Sequence, residues 1–128
     1  MENLFIGIDV SKDVLDYAAV DQDNREVFRD KKCLNDEKGL KELIKSLKEY
    51  SNYYQLWVCL EHTGHFGSLA CFYLEKENIP YFLLNPMEVK RSMGIVRGKT
   101  DSADALRIAH YGASNTHKLV PFTLPGKT

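Results

Sequence analysis

The chain opens on an almost unbroken apolar run, Leu4-Phe5-Ile6-Gly7-Ile8, closed by an acid, Asp9. Continuity without alternation predicts a strand over residues 3–9 that is covered on both faces and so internal in its sheet. Residues 10–13 read as a tight turn and residues 14–20 as a second strand. Asp21-Gln22-Asp23-Asn24 is dense in turn formers. Residues 25–31 return as a third strand, with Val27 among polar neighbours as suits a sheet edge. These three predict an antiparallel meander.

The period then changes. Leu40, Leu43, Ile44 and Leu47 keep the i, i+3, i+4, i+7 spacing of one buried stripe, which predicts a helix capped by Asn35 or Asp36 and running to Tyr50. Residues 55–60 predict a fourth strand, and its apolar run, Leu56-Trp57-Val58-Cys59-Leu60, is again closed by an acid, Glu61. Thr63-Gly64-His65 predicts a loop. Residues 66–76 predict a second helix with Leu69, Phe72 and Tyr73 inward, and residues 80–84 a fifth strand. Asn85-Pro86 opens a third helix, since proline suits a first turn. Residues 93–99 predict a loop holding Gly and Arg. Thr100 or Asp101 caps the last helix, with Ala105, Ile108, Ala109 and Gly112 inward. The pattern fades from Asn115, which divides the chain into a domain over residues 1–114 and a linker over 115–128 with Pro121, Pro125 and Gly126. The order βββαβαβαα is that of an α/β, ribonuclease H-like mixed five-stranded sheet with helices on its faces.

With 128 residues, 44% of them hydrophobic, the chain can fill one core. Its net charge of -1 does not announce a polyanion partner, but the distribution is uneven. Residues 1–84 carry ten Lys/Arg against fifteen Asp/Glu, a net of -5, and residues 85–128 carry seven against three, a net of +4. A basic last third points to nucleic acid. Cys33, Cys59 and Cys71 have no metal-like spacing and read as reduced, buried thiols of a cytoplasmic protein. No basic leader precedes the first apolar stretch, and no run is long enough to span a bilayer.

The acids carry the candidate chemistry. A charge at the end of an apolar strand is costly to bury without a partner. Taken singly, Asp9 reads as a turn cap, Glu61 as a solvated strand end, and Asp101 and Asp104 as first-turn acids that complement a helix dipole. Taken together, two strands ending in acids and a helix presenting two more on one face read as a cation site. The ions that suit such oxygen donors are Mg²⁺ or Mn²⁺. Two such ions stabilise the attacking and leaving oxygens of phosphodiester chemistry. Beside the acids, Lys90, Arg91, Arg97 and Lys99 are candidates to hold a nucleic-acid backbone. His62 and His65 are candidates to position a water or phosphate. Ser11 serves either the turn or the substrate.

Three segments resemble one family. They are Gly7-Ile8-Asp9-Val10-Ser11-Lys12, then Glu61-His62-Thr63-Gly64-His65-Phe66, then Asn85-Pro86 through Gly98-Lys99-Thr100-Asp101-Ser102-Ala103-Asp104-Ala105. In this order they resemble the N-terminal domain of DEDD transposases, the insertion-sequence group that includes the Piv-type invertases. The resemblance implies a RuvC-like catalytic domain whose acidic tetrad falls on Asp9, Glu61, Asp101 and Asp104 and binds Mg²⁺. It implies a DNA substrate, site-specific recombination, a homo-oligomer in the full-length protein and, in some members, a structured guide RNA. It also implies a second, C-terminal domain bearing a serine nucleophile. The sequence in hand ends in the linker, so that domain is expected to lie outside it and complete recombination to need it. Two other readings stay open: a Holliday-junction-resolvase-like nuclease, and a non-catalytic nucleic-acid-binding module.

Overall fold

A computed structural model describes residues 1–61, 64–93 and 101–119, apart from the side chains of 92, 93, 101–103 and 118. Five strands, β1 (Glu2–Val10), β2 (Val14–Asp21), β3 (Glu26–Leu34), β4 (Tyr54–Glu61) and β5 (Tyr81–Leu84), form one sheet in the order β3-β2-β1-β4-β5. The meander pairs antiparallel, whereas β1–β4 and β4–β5 run parallel. β1 is central, as its apolar continuity predicts, and β3 is an edge. The helices are α1 (Glu37–Tyr50), α2 (Ser68–Lys76), α3 (Pro86–Met93) and α4 (Asp101–Ser114).

Alternation along β1 divides the sheet into two faces. Leu4, Ile6 and Ile8 join Leu15, Leu56, Val58 and Leu60 on one face. There they pack against α1 through Leu40, Leu43, Ile44 and Leu47. Asp36 caps α1, its carboxylate accepting from the Gly39 amide at 2.7 Å. On the other face Phe5 meets Val20 and Ala109, while Cys59, Phe82 and Leu84 meet Ile108 and Tyr111. That is the α4 face. Its helix contributes Ala105, Ile108, Ala109 and Gly112, all buried and all expected inward.

The second helix differs from expectation. Its first turn is a 3₁₀ turn over Gly64–Gly67, and α2 begins only at Ser68. Phe72, expected inward, is exposed, and Leu69 is half-buried. Tyr73 is buried as expected, and Ala70, Cys71 and Leu74 fill the other inner positions. A helix this short and this apolar offers more than one stripe, so its period does not select the buried one. At the other end, a 3₁₀ turn over Thr116–Lys118 follows α4, and Leu119 packs against the α4-side core. The expected loop over 93–99 and the expected cap Thr100 fall on residues outside the described ones, save Met93, which ends α3, while Asp101, the other expected cap, is the first residue of α4.

Candidate active site

Glycine sets how close α4 comes to the sheet. A Cβ on Gly7 would stand 2.1 Å from the Ala105 carbonyl oxygen and 2.5 Å from the Ala109 nitrogen. On Gly112 it would stand 2.6 Å from Cys59 Sγ and 3.4 Å from Phe5. Both positions exclude a side chain because backbone meets backbone or core there. They also fix direction. Phe5 lies near Gly112 and Gly7 near Ala105, so α4 runs antiparallel to β1. A further two strand residues advance about 6.6 Å, which is roughly four helical residues. Asp9 therefore lies beneath the first turn of α4, the turn that contains Asp101 and Asp104.

Parallel pairing ends at Ile8↔Leu60, so Asp9 and Glu61 occupy the next positions on adjacent strands. Both fall on the α4 face, since they follow Gly7 and Cys59 by two residues. Neither strand end is loop: Glu61 is the last residue of β4, paired with Leu84 of β5. Glu61 and Asp104 are close enough for their charges to act on one another. Burial raises the Glu61 carboxyl above its usual range, the negative charge of Asp104 raises it further, and Arg107 pulls it back. Asp104 is held by Arg107, whose Nη1 stands 3.0 Å from Asp104 Oδ1. Asp101 sits one turn earlier on the helix, and its side chain is outside the described ones. Among the described residues, no three Asp, Glu, His or Cys side chains are grouped as a metal-holding set.

Two residues at this end of the sheet escape the sequence reading. Asp16 faces Asp9 directly across the antiparallel ladder and is buried at 3% exposure. Its partner is Lys32, the residue opposite it on β3, with Nζ 3.2 Å from Oδ1. That contact lacks hydrogen-bond geometry, so Oδ1 stays without a hydrogen bond among the described residues. Asp16 is the one acid inside the apolar run Val14-Leu15-Asp16-Tyr17-Ala18-Ala19-Val20, and its place within that run is the signal that could have found it. Arg107 is the second, and its i+3 spacing from Asp104 is the signal.

The other candidates sit as follows. Ser11 serves its turn, its hydroxyl donating to the Val14 carbonyl at 2.7 Å. His65 is exposed and packs on Phe66 at 4.6 Å between ring centroids. His62, Arg97 and Lys99 lie outside the described residues, whereas Lys90 and Arg91 are exposed in the last turn of α3. Trp57 stacks on Phe82 at 5.1 Å and gives its indole N–H to Asn3, so it is a packing residue. Cys33, Cys59 and Cys71 are free and buried. A hollow of about 590 Å³ between α1 and α2 carries Lys41, Lys45, Lys48 and Lys76. It opens on the opposite face from the acids, and Glu49 and Glu77 on its rim offset part of its charge. Among the described residues no helix is long and apolar enough to cross a membrane.

The sheet order and the helix crossing its strand ends define a ribonuclease H-like domain of the RuvC type. RuvC from T. thermophilus in complex with Holliday junction substrate superposes with a TM-score of 0.60 over 94% of this chain and 99% of that one, at 13% identity. A second Thermus thermophilus RuvC structure gives 0.59 over 93% and 99%, also at 13% identity. No curated protein matches the chain. The sequence profile of the DEDD transposases of the IS110 type, described as transposase, matches residues 6–128. The chain belongs to that transposase family.

Proposed function

We propose that this domain carries out the metal-dependent DNA strand cleavage of a transposase, with Asp9, Glu61, Asp101 and Asp104 as the carboxylates that hold one or two Mg²⁺ or Mn²⁺ ions. The observation that carries the reading is the junction of β1, β4 and α4. Two adjacent strands end in acids on one face, and the first turn of the helix crossing them supplies Asp104, whose charge already raises the Glu61 carboxyl. The donor set fits the ion: carboxylate oxygens are the ligands magnesium prefers, and a carboxyl raised by a neighbouring acid, as Glu61 is by Asp104, is relieved by positive charge. When bound, such ions stabilise the attacking and leaving oxygens of a phosphodiester displacement.

The chain's own residues supply the rest. The tight Gly7–Ala105 contact fixes the helix over the strand ends. Lys90, Arg91, Arg97 and Lys99 supply the positive charge that holds a DNA backbone beside the acids, in the part of the chain with net +4. DNA is the proposed substrate, and full recombination is proposed to need the serine-bearing second domain. A guide RNA and a homo-oligomer belong to that larger assembly. The test is incubation of the chain with supercoiled and branched DNA in Mn²⁺. Strand cleavage is expected from the wild type and not from Asp9→Asn, Glu61→Gln or chelator-treated protein. DNA binding without metal-dependent cleavage, from a folded chain, would instead support the non-catalytic binding module.

A further inference from the structure

Asp104 and Glu61 share the influence of one cation. Arg107 stands on α4 one turn beyond Asp104, and its side chain is only 12% exposed. It holds Asp104 through Nη1, and its other terminal nitrogen, Nη2, is buried with no hydrogen-bond partner among the described residues. The same guanidinium lowers the Glu61 carboxyl that Asp104 raises. Three features set this apart from an ordinary pair at i, i+3 on a helix. Exposed pairs of that spacing contribute a few tenths of a kcal/mol and organise nothing. A structural arginine in the interior has its donors satisfied, because a buried unpaired donor is costly. And a clamp through one nitrogen is easier to release than the two-nitrogen fork an arginine can make with a carboxylate. Arg107 is thus a permanent charge, since guanidinium does not deprotonate in proteins. It stands beside Asp104, one of the proposed metal ligands.

We propose that Arg107 is the built-in counterion of the acidic site and competes with a divalent cation for Asp104. In the absence of a cation it offsets the charge of Asp104 and Glu61 and keeps α4 seated. When a cation enters, the guanidinium yields Asp104 to it. Metal affinity is then set as much by this arginine as by the carboxylates, which deepens the reading above and rests on it.

Manganese binding to the full chain tests this without DNA and without activity. Wild type, Arg107→Gln and Arg107→Lys are stripped with chelator, melted, and titrated with Mn²⁺ by calorimetry. Arg107→Gln is expected to melt lower than wild type in chelator. It is also expected to bind Mn²⁺ roughly tenfold more tightly, within the usual range for coupled binding events. Its melting temperature should therefore begin to rise at lower Mn²⁺ concentration. Arg107→Lys keeps the charge but loses the planar fork, so its affinity falls between the two. Should Arg107→Gln not fold, Arg107→Lys decides in the same direction. Mn²⁺ binding equal to or weaker than wild type in a folded variant overturns the inference and leaves the metal reading intact. No Mn²⁺ binding by either wild type or variant overturns both. Binding by the variant alone supports the inference in its strongest form.

Discussion

The two faces of the central sheet are built from different materials. Under α1, β1 offers Leu4, Ile6 and Ile8, and the helix answers with Leu40, Leu43, Ile44 and Leu47. Under α4, β1 offers Phe5, Gly7 and Asp9, and the helix answers with Ala105, Ala109 and Gly112. Large branched side chains bury apolar area and hold the fold. Small ones bring two backbones into contact and hold a position. The acids appear only where the second kind of packing leads, at the strand ends under the first turn of α4. One face accordingly supplies most of the stability and the other supplies the geometry of the site.

The largest expected effect comes from the first face. Leu43 is fully buried, so Leu43→Ala should lose about 2–5 kcal/mol of unfolding free energy in urea titrations. It should keep any Mn²⁺-induced rise in melting temperature, because α4 is untouched. Loss of the Mn²⁺ response in a variant that still folds would mean that the faces are not separable. Next is Gly7→Ala. Its methyl would meet the Ala105 carbonyl at 2.1 Å, and overpacking of this kind costs about 1–3 kcal/mol. Here the Mn²⁺ response should fall more than the stability does, since the helix must move away from Asp9. A Gly7→Ala protein with wild-type stability and an unchanged response would contradict the tight seating of α4.

The smallest effect is a pH dependence. Glu61 has its carboxyl raised in the folded protein, first by burial and then by Asp104. The folded state therefore binds this proton more tightly than the unfolded chain does. The penalty is fully present above the raised value and disappears as pH falls through it into the ordinary glutamate range near about 4.3. In chelator, Glu61→Gln should melt at least as high as wild type at pH 7–8, with the difference shrinking toward pH 4. A difference that is constant with pH, or a Gln variant less stable throughout, would show that Glu61 is not under that strain.

Much of this fold is legible in the sequence because two signals are strong there. Unbroken apolarity from Leu4 to Ile8 can only suit a central strand, and the stripe from Leu40 to Leu47 can only suit a helix on one face. Phe72 shows where legibility stops. In a short helix with apolar residues all round, burial depends on what the neighbouring elements leave open. Asp9 and Glu61 stand out because each closes an apolar run, and β1–β4 adjacency makes them neighbours. Asp16 is hidden by the reverse circumstance: it lies inside its run, where alternation makes a single polar residue look like an outward-facing one. Its burial follows from α4 covering a face that an edge-near strand often leaves to solvent. Arg107 is hidden because an arginine three residues after an acid on a helix resembles a surface pair. Only its charge, acting on Glu61 of β4, makes it part of the site.

The central claim is that the strand-end acids and the first turn of α4 hold a divalent cation. It is tested most directly by titrating Mn²⁺ into chelator-treated wild type and Asp104→Asn, with melting temperature as the readout. Binding to the folded state alone raises stability in proportion to ln(1 + [M]/Kd). The wild type should therefore gain steadily with Mn²⁺. Asp104→Asn should gain little. Equal gains in the two proteins, or none in the wild type, would contradict the claim.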